Sequence, residues 1–208
     1  MNINMITGLE NKGIKDKKVL EAMKKIPREA FVAEEFKTLA YEDQALPIIS
    51  SQSISQPYTV AFMLEKLNLK EKDKVLEIGS GSGWNSALIS FITKAKVFTV
   101  EFNENVADFA KSNLKKLKIK NVEVIVGDGN KGYEKESPYD KIIVTAACSK
   151  IPFDLIKQLK NNGILLAPIG SLIDQDLIKI IKKDEEIKKV NLGKFVFVPL
   201  KGKYGFSS

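Results

Sequence analysis

The sequence predicts an α/β domain built on a doubly wound, mostly parallel sheet, with helices on both faces, a helical N-terminal third and an antiparallel C-terminal edge. Three observations predict it. Residues 74–78, 96–101, 122–126, 141–145 and 164–168 are short runs rich in β-branched or aliphatic side chains, separated by stretches with helical spacing; strand alternating with helix is the pattern of parallel crossovers. The first of these runs passes directly into a glycine-rich turn, Gly79-Ser80-Gly81-Ser82-Gly83. The chain has 208 residues, 44% of them hydrophobic and 28% charged. That length supports one substantial core and falls short of two ordinary domains, so residues 1–208 read as a single domain.

Taken in order, Val19, Leu20, Met23 and Ile26 recur at helical spacing until Pro27 stops the segment. A second short helix is expected over residues 31–36. Residues 41–56 contain Pro47 and four serines and read as a loop with no secondary structure of its own; long loops in compact domains are often functional. Pro57 opens the next helix at its first position, with Val60, Ala61, Leu64 and Leu67 on one face. Asn103 is placed to cap a helix carrying Val106, Ala110 and Leu117, and Gly163 to end one that starts near Pro152. Residues 176–181 and 195–200 read as strands with no long helix between them, which makes them the antiparallel edge.

Composition removes several chemistries. The chain has no histidine, which excludes histidine-dependent triads and His-containing zinc sites. The single cysteine, Cys148, supplies neither a Cys₄ site nor an intramolecular disulfide, and without a histidine to activate it a buried thiol is expected. No metal is therefore expected. No N-terminal leader pattern is visible, and no run approaches the roughly 20 apolar residues of a membrane span, so a cytoplasmic protein without a membrane partner is expected. The 33 Lys and Arg against 26 Asp and Glu give a charge of +7. The densest cluster, Lys111, Lys115, Lys116, Lys118 and Lys120, lacks the interleaved aromatics that stack bases and reads as a solvated helix face, so no nucleic-acid partner is expected.

The residues that carry chemistry stand at strand ends. Val75-Leu76-Glu77-Ile78 leads into the glycine turn and then Trp84, an order of strand, turn and helix that suits a nucleotide-type cofactor. The pattern is G-x-G-x-G, and Trp84 occupies the place of the third glycine of a dinucleotide fingerprint, which argues against hydride transfer. Glu77, Gly79, Ser80 and Gly81 are accordingly expected around the cofactor. The second strand ends at Glu101, about 20 positions beyond the turn, where a carboxylate can accept from ribose hydroxyls. The third ends Val126-Gly127-Asp128-Gly129: Asp128 can accept from an adenine amine, and Gly129 lets the base approach. Each feature alone has a plain structural alternative, a tight connection or a solvent-facing charge. Three successive strand ends aimed at one ligand suit S-adenosylmethionine.

With these residues in view, the chain resembles the protein-L-isoaspartate (D-aspartate) O-methyltransferase family over nearly its whole length. The resemblance is carried by Ile26-Pro27-Arg28-Glu29-Ala30-Phe31-Val32, Leu46-Pro47-Ile48, Gln52-Ser53-Ile54-Ser55-Gln56-Pro57-Tyr58, the glycine turn and Val126-Gly127-Asp128-Gly129. Ile142-Ile143-Val144-Thr145-Ala146-Ala147, Ile151-Pro152 and Phe197-Val198-Pro199-Leu200 continue it. The glycine turn is common to many methyltransferases, whereas Ser53-Ile54-Ser55-Gln56-Pro57 is far more particular. The resemblance implies a Rossmann-like methyltransferase fold. It implies an enzyme that moves a methyl group from S-adenosylmethionine to the α-carboxylate of isoaspartyl residues in damaged proteins and peptides, releasing S-adenosyl-L-homocysteine and starting repair. It also implies that Ser55 belongs to the active site, with Ser53, Gln56 and Thr145 lining the substrate pocket. Read without the family, Ser55 is better taken as a helix cap beside Pro57.

This chemistry needs no histidine, because a carboxylate with a pKa of about 3.3–3.9 is already ionised at neutral pH. Two departures fall in the loop before Ser55. Similar proteins commonly have glycine on either side of one residue between Pro-Ile and Gln, where this chain has Ile49 and Ser51. A β-branched residue tolerates positive φ poorly, so the loop cannot copy a conformation that needs glycine at position 49. The C-terminal Gly205-Phe206 stands where the family has a Gly-Trp ending. Two other readings keep the cofactor site: a methyltransferase acting on a nucleic acid or small molecule, disfavoured because no Asn-Pro-Pro-Tyr type segment is present, and a noncatalytic cofactor-binding module. A monomer is expected.

Overall fold

Strand β3 (Val75–Ile78) is buried at all four positions because it lies inside a sheet with parallel neighbours on both sides, β4 (Val97–Glu101) and β6 (Tyr139–Val144). The structure, a computed structural model, describes residues 3–184 and 186–206. Beyond β4 the sheet is extended by β5 (Val122–Val126), and beyond β6 by β7 (Leu159–Gly170), both parallel. Strands β8 (Gln175–Lys183) and β9 (Glu186–Phe195) complete it antiparallel, giving the order β5-β4-β3-β6-β7-β8-β9. The strand order reverses between β3 and β6, and in such sheets the crevice outside the carboxyl ends at the reversal is where ligands bind.

Period-two alternation sorts the strand side chains onto two cores. Val75, Val97, Ile143, Ile164 and Leu166 face a layer built from α1 (Ile3–Asn11), α2 (Lys17–Lys25), α3 (Pro57–Leu67), α4 (Trp84–Thr93) and α5 (Glu104–Lys116). Leu76, Phe98, Ile142, Val144 and Leu165 face the other way, onto α6 (Phe153–Lys157) and the buried Leu200 and Tyr204. Phe98 is packed against Tyr133 and Tyr139 there, with ring centroids 5.7 and 6.0 Å away; burying one such ring contributes about 1.5–3 kcal/mol. Helix starts follow their sequence signals. Pro57 is at the first position of α3, and Asn103 caps α5 by accepting from the backbone amides of Asn105 and Val106. No helix among the described residues is long and apolar enough to cross a membrane.

Four expectations are corrected. The short helix expected over residues 31–36 is two 3₁₀ turns, Arg28–Phe31 and Glu34–Leu39, parted by extended backbone at Val32 and Ala33. Residues 41–56 do carry secondary structure, an antiparallel pairing of β1 (Leu46–Pro47) with β2 (Ser53–Ile54). Gly163 does not end α6, which stops at Gln158; it lies within β7 where the chain folds back, and a Cβ there would sit 2.7 Å from Leu159 Cγ and 2.8 Å from the Lys160 carbonyl. The register explains the fold-back, since Tyr139 pairs with Leu159 but Lys141 with Ile164. The last strand is Glu186–Phe195 and not residues 195–200. The apolar run after Phe195 leaves the sheet and is tied to the segment following β6: Ala147 donates to the Val198 carbonyl at 2.8 Å, and Leu200 donates to the Ala147 carbonyl at 2.9 Å.

The departure in the loop is also explained. The turn between β1 and β2 places Ser50 (φ 56°) and Ser51 (φ 55°) in the left-handed region and leaves Ile49 outside it. The β-branched side chain avoids the conformation it cannot take, and the two serines carry it instead.

Candidate active site

Strand register alone aligns the carboxyl ends. Ile78 is level with Val100 on one side and Val144 on the other, and Glu101 is level with Val126. Gly79, Glu101 and Thr145 therefore emerge at one edge of the sheet. Over that edge lies an open cleft of about 1150 Å³, counted out to its mouth. Ser53, Ser55, Glu77, Gly79, Ser80, Gly81, Glu101, Gly129 and Thr145 all line it, brought together from five separate places in the chain. Gln56 and Asp128 are not among the lining residues. Gln56 is the N-cap of α3, the point at which the loop turns into the helix, and Asp128 directs Oδ1 to the amide and side chain of Asn130.

The glycine turn is held by its neighbours. Gly79 has φ 95° and donates to the Val100 carbonyl at 2.8 Å; a Cβ at this position would lie 2.6 Å from Thr145 Oγ1. Both its conformation and its surroundings thus require glycine. The Thr145 hydroxyl is within hydrogen-bond distance of the Gly79 carbonyl (2.8 Å) and the Ile78 carbonyl (3.0 Å), so this residue braces the turn as well as lining the cleft. Gly129 is constrained by the sheet, since a Cβ there would meet Ile78 Cγ2 at 2.4 Å.

The two acidic residues differ in what they hold. Glu101 accepts at Oε2 from the amides of Ser80 (3.0 Å) and Gly81 (3.3 Å), and at Oε1 from the amide of Asn103 (3.1 Å). A carboxylate offers about four acceptor positions, so Oε1 keeps one for a ligand hydroxyl. Glu77 is fully buried, with Asn85 Nδ2 donating to Oε1 at 2.7 Å and the Ser86 hydroxyl donating to Oε2. Burial pushes its carboxyl up to about 7, opposed by those hydrogen bonds. Its oxygens are committed to α4, the helix that starts at the glycine turn.

Several lining residues carried no recognisable signal in the sequence. Asn85 lines the cleft, and its Oδ1 is buried with no hydrogen-bond partner among the described residues. A buried amide oxygen left in this way costs about 1–3 kcal/mol and is suited to accept from a ligand ammonium. Thr59 and Phe102 also line the cleft, as does the segment from Phe197 to Lys201, of which Phe197-Val198-Pro199-Leu200 belongs to the family resemblance. That last segment is fastened by the buried Asn130, which donates to the Lys201 carbonyl and accepts from the Tyr204 amide at 2.7 Å. Cys148 takes no part: it is completely buried outside the lining, and burial pushes its thiol up to about 12. The orphaned Asn85 oxygen, the open position on Glu101 and the unobstructed space beside Gly81 fit a nucleoside carrying an amino-acid tail, as S-adenosylmethionine does.

Comparison with known proteins gives the same reading. Residues 1–205 match the family model described as Protein-L-isoaspartate(D-aspartate) O-methyltransferase. A protein-L-isoaspartate O-methyltransferase from Methanoculleus marisnigri is 48% identical, over 94% of this chain and 88% of that relative. One from Dictyoglomus turgidum is 49% identical, over 98% and 92%. Among solved structures, a protein-L-isoaspartate O-methyltransferase superposes with a TM-score of 0.90 at 31% identity, over 99% of this chain and 67% of the other. A Plasmodium falciparum structure described as a beta-aspartate methyltransferase in complex with S-adenosyl-L-homocysteine gives 0.85 at 28% identity, over 95% and 97%. Matched over nearly its whole length by sequence and by fold, the chain belongs to the protein-L-isoaspartate(D-aspartate) O-methyltransferase family.

Proposed function

We propose that the cleft carries out methyl transfer to the α-carboxylate of isoaspartyl residues with Ser55 as the residue that holds the acceptor. The observation that carries this reading is that Ser53, in β2, and Ser55, between β2 and α3, line the same cleft as the glycine turn. The capping alternative for Ser55 loses its support, because the N-cap of α3 is Gln56 and the first-turn amide of Tyr58 is taken by Asp43 Oδ1 at 2.8 Å. S-adenosylmethionine, when bound at the turn, supplies a methyl group activated on a sulfonium. The residues proposed to bind it are Gly79, Ser80, Gly81, Glu101 and Gly129, with Asn85 added from the structure. Glu77 and Thr145 hold the turn in place, and Asp128 acts through Asn130.

The work left to the protein is positional. The acceptor carboxylate is ionised without help, so no general base is required. The Ser55 hydroxyl donates to one carboxylate oxygen and leaves the other free to attack, while the apolar walls, Ile54, Val60, Met63 and Phe197, exclude water from a strongly hydrated nucleophile. The methoxy group of the product ester leaves more readily than the hydroxyl of the acid, so the neighbouring backbone nitrogen attacks the ester carbonyl, loses its proton and expels methanol to close a succinimide, which water reopens in part to normal aspartate. The acceptors are isoaspartyl proteins and peptides. A single-domain cytoplasmic monomer with no nucleic-acid partner completes the proposal.

The test is methyl transfer from labelled S-adenosylmethionine to two short peptides that differ only in having isoaspartate or aspartate, with Ser55→Ala as control. Selective labelling of the isoaspartyl peptide that drops about 100-fold in the variant is expected. Equal labelling of both peptides would sink the substrate assignment, and undiminished activity of Ser55→Ala would remove Ser55 from the site.

A further inference from the structure

Arg28 is completely buried, yet it makes no salt bridge among the described residues. Its two terminal nitrogens donate to backbone carbonyls, while Nε is buried with no hydrogen-bond partner among the described residues. Nη1 donates to Ala40 at 2.7 Å and, at long range, to Glu42 at 3.5 Å; Nη2 donates to Gln44 at 2.9 Å and to Ser55 at 3.1 Å, with Ile54 at 3.5 Å. These carbonyls belong to both ends of one loop, the stretch entering β1 and the stretch leaving β2. The guanidinium also lies over the indole of Trp84, 5.3 Å from the ring centroid. Trp84 is the first residue of α4, immediately after the glycine turn, and its Nε1 contacts the Ile26 carbonyl at 3.5 Å.

Burying a cation without a carboxylate partner is costly, and an apolar side chain would fill the same volume more cheaply. Burial lowers the Arg28 pKa to about 10, with Asp43 opposing the shift, so the side chain stays charged at neutral pH. One planar group thus joins the backbone of Ser55 to the element that carries the cofactor turn. From this geometry we infer that Arg28 is a positioning residue, which fixes the Ser55 hydroxyl relative to the glycine turn and so sets the alignment of acceptor and methyl group. The inference rests on the role proposed for Ser55. A lysine would keep the charge but, as a point donor on a flexible stem, cannot reach both ends of the loop at once.

The test compares Arg28→Lys and Arg28→Gln with the native protein by three readouts: kcat and KM for an isoaspartyl peptide, calorimetric binding of S-adenosyl-L-homocysteine, and amide hydrogen exchange over residues 40–56. The expected result for Arg28→Lys is a fall of about 100-fold that lies mainly in kcat, since small misplacements near the reacting atoms have that effect. S-adenosyl-L-homocysteine binding is retained, and exchange quickens in residues 40–56 but not in β3 or α4. Arg28→Gln, with planar donors and no charge to bury, falls between the two. Native kcat in Arg28→Lys overturns the inference. So does a parallel loss of S-adenosyl-L-homocysteine binding with faster exchange throughout the sheet, and so does failure of both variants to fold, because each assigns Arg28 to the core alone. Full activity in Ser55→Ala identifies the reading of Ser55 as the failure, whatever the Arg28 variants do.

Discussion

Thr145 Oγ1 lies 2.8 Å from the carbonyl oxygen of Gly79, at the same place where a Cβ on Gly79 would come within 2.6 Å of it. The end of β6 therefore presses against the start of the glycine turn, and the two cannot be varied independently.

Removing this brace has a defined consequence. In Thr145→Ala the carbonyls of Ile78 and Gly79 lose their side-chain donor while the fold around them is kept. Loss of a hydrogen bond of this kind is worth about 1 kcal/mol, so calorimetry is expected to show S-adenosyl-L-homocysteine binding weakened by about 5- to 10-fold. Gly79→Ala is expected to abolish binding, because the added methyl meets Thr145 and the backbone is held at φ 95°. If the double variant binds as well as Thr145→Ala alone, steric contact explains Gly79 and its positive φ does not matter.

Glu77 makes stability depend on pH in the unusual direction. Its carboxyl is raised from the ordinary 4.5 to about 7 by burial, so the folded state holds a proton that the unfolded state has released between those values. Stability is then fully present below about pH 4.5 and is lost as pH rises toward 7, by up to about 3 kcal/mol. Glu77→Gln has no proton to lose. Subtracting its denaturant-unfolding free energies from those of the native protein across pH 4–8 is expected to give a difference that falls with pH and levels off above 7. A difference that rises over this interval would mean the Asn85 and Ser86 hydrogen bonds outweigh burial.

The turn between β1 and β2 holds two adjacent serines in left-handed backbone, at φ 56° and 55°. Each such residue costs about 1–2 kcal/mol relative to glycine, offset by the greater freedom glycine has when unfolded. Ser51→Gly is expected to raise stability by about 0.5–1 kcal/mol and Ile49→Gly to lower it by a similar amount, since Ile49 lies outside that region. Urea unfolding of the two variants checks the sign. Stabilisation by Ile49→Gly would show that position 49 is under strain after all.

Much of the fold was legible because local rules and tertiary demands coincided. The runs ending at Ile78, Glu101, Val126 and Val144 are strands whose alternate residues face two cores, and the glycine turn stands where a parallel sheet reverses its order. Asn103 and Pro57 start their helices for reasons confined to a single turn of backbone. The alignment of the strand ends followed from spacing alone, because parallel register carries each of them to the same row.

What escaped the sequence depended on partners far along the chain. The run from Phe195 to Leu200 has the composition of a strand, yet after Phe195 it leaves the sheet for Ala147 and from Phe197 onward lines the cleft, because hydrogen bonds to a distant segment decide where it lies. Gly163 looks like a helix terminator and instead permits β7 to fold back on Leu159. Asn85 shows itself only as an amide oxygen left without a partner in a cleft that exists once the sheet has formed. The sequence by itself determined the layered α/β architecture, the glycine turn after the first strand of the parallel sheet and the family, since these follow from periodicity and short motifs. Only the tertiary structure decided which backbone carbonyls Arg28 would gather, that of Ser55 among them, because those contacts join residues 12 to 27 positions apart and no local propensity encodes them.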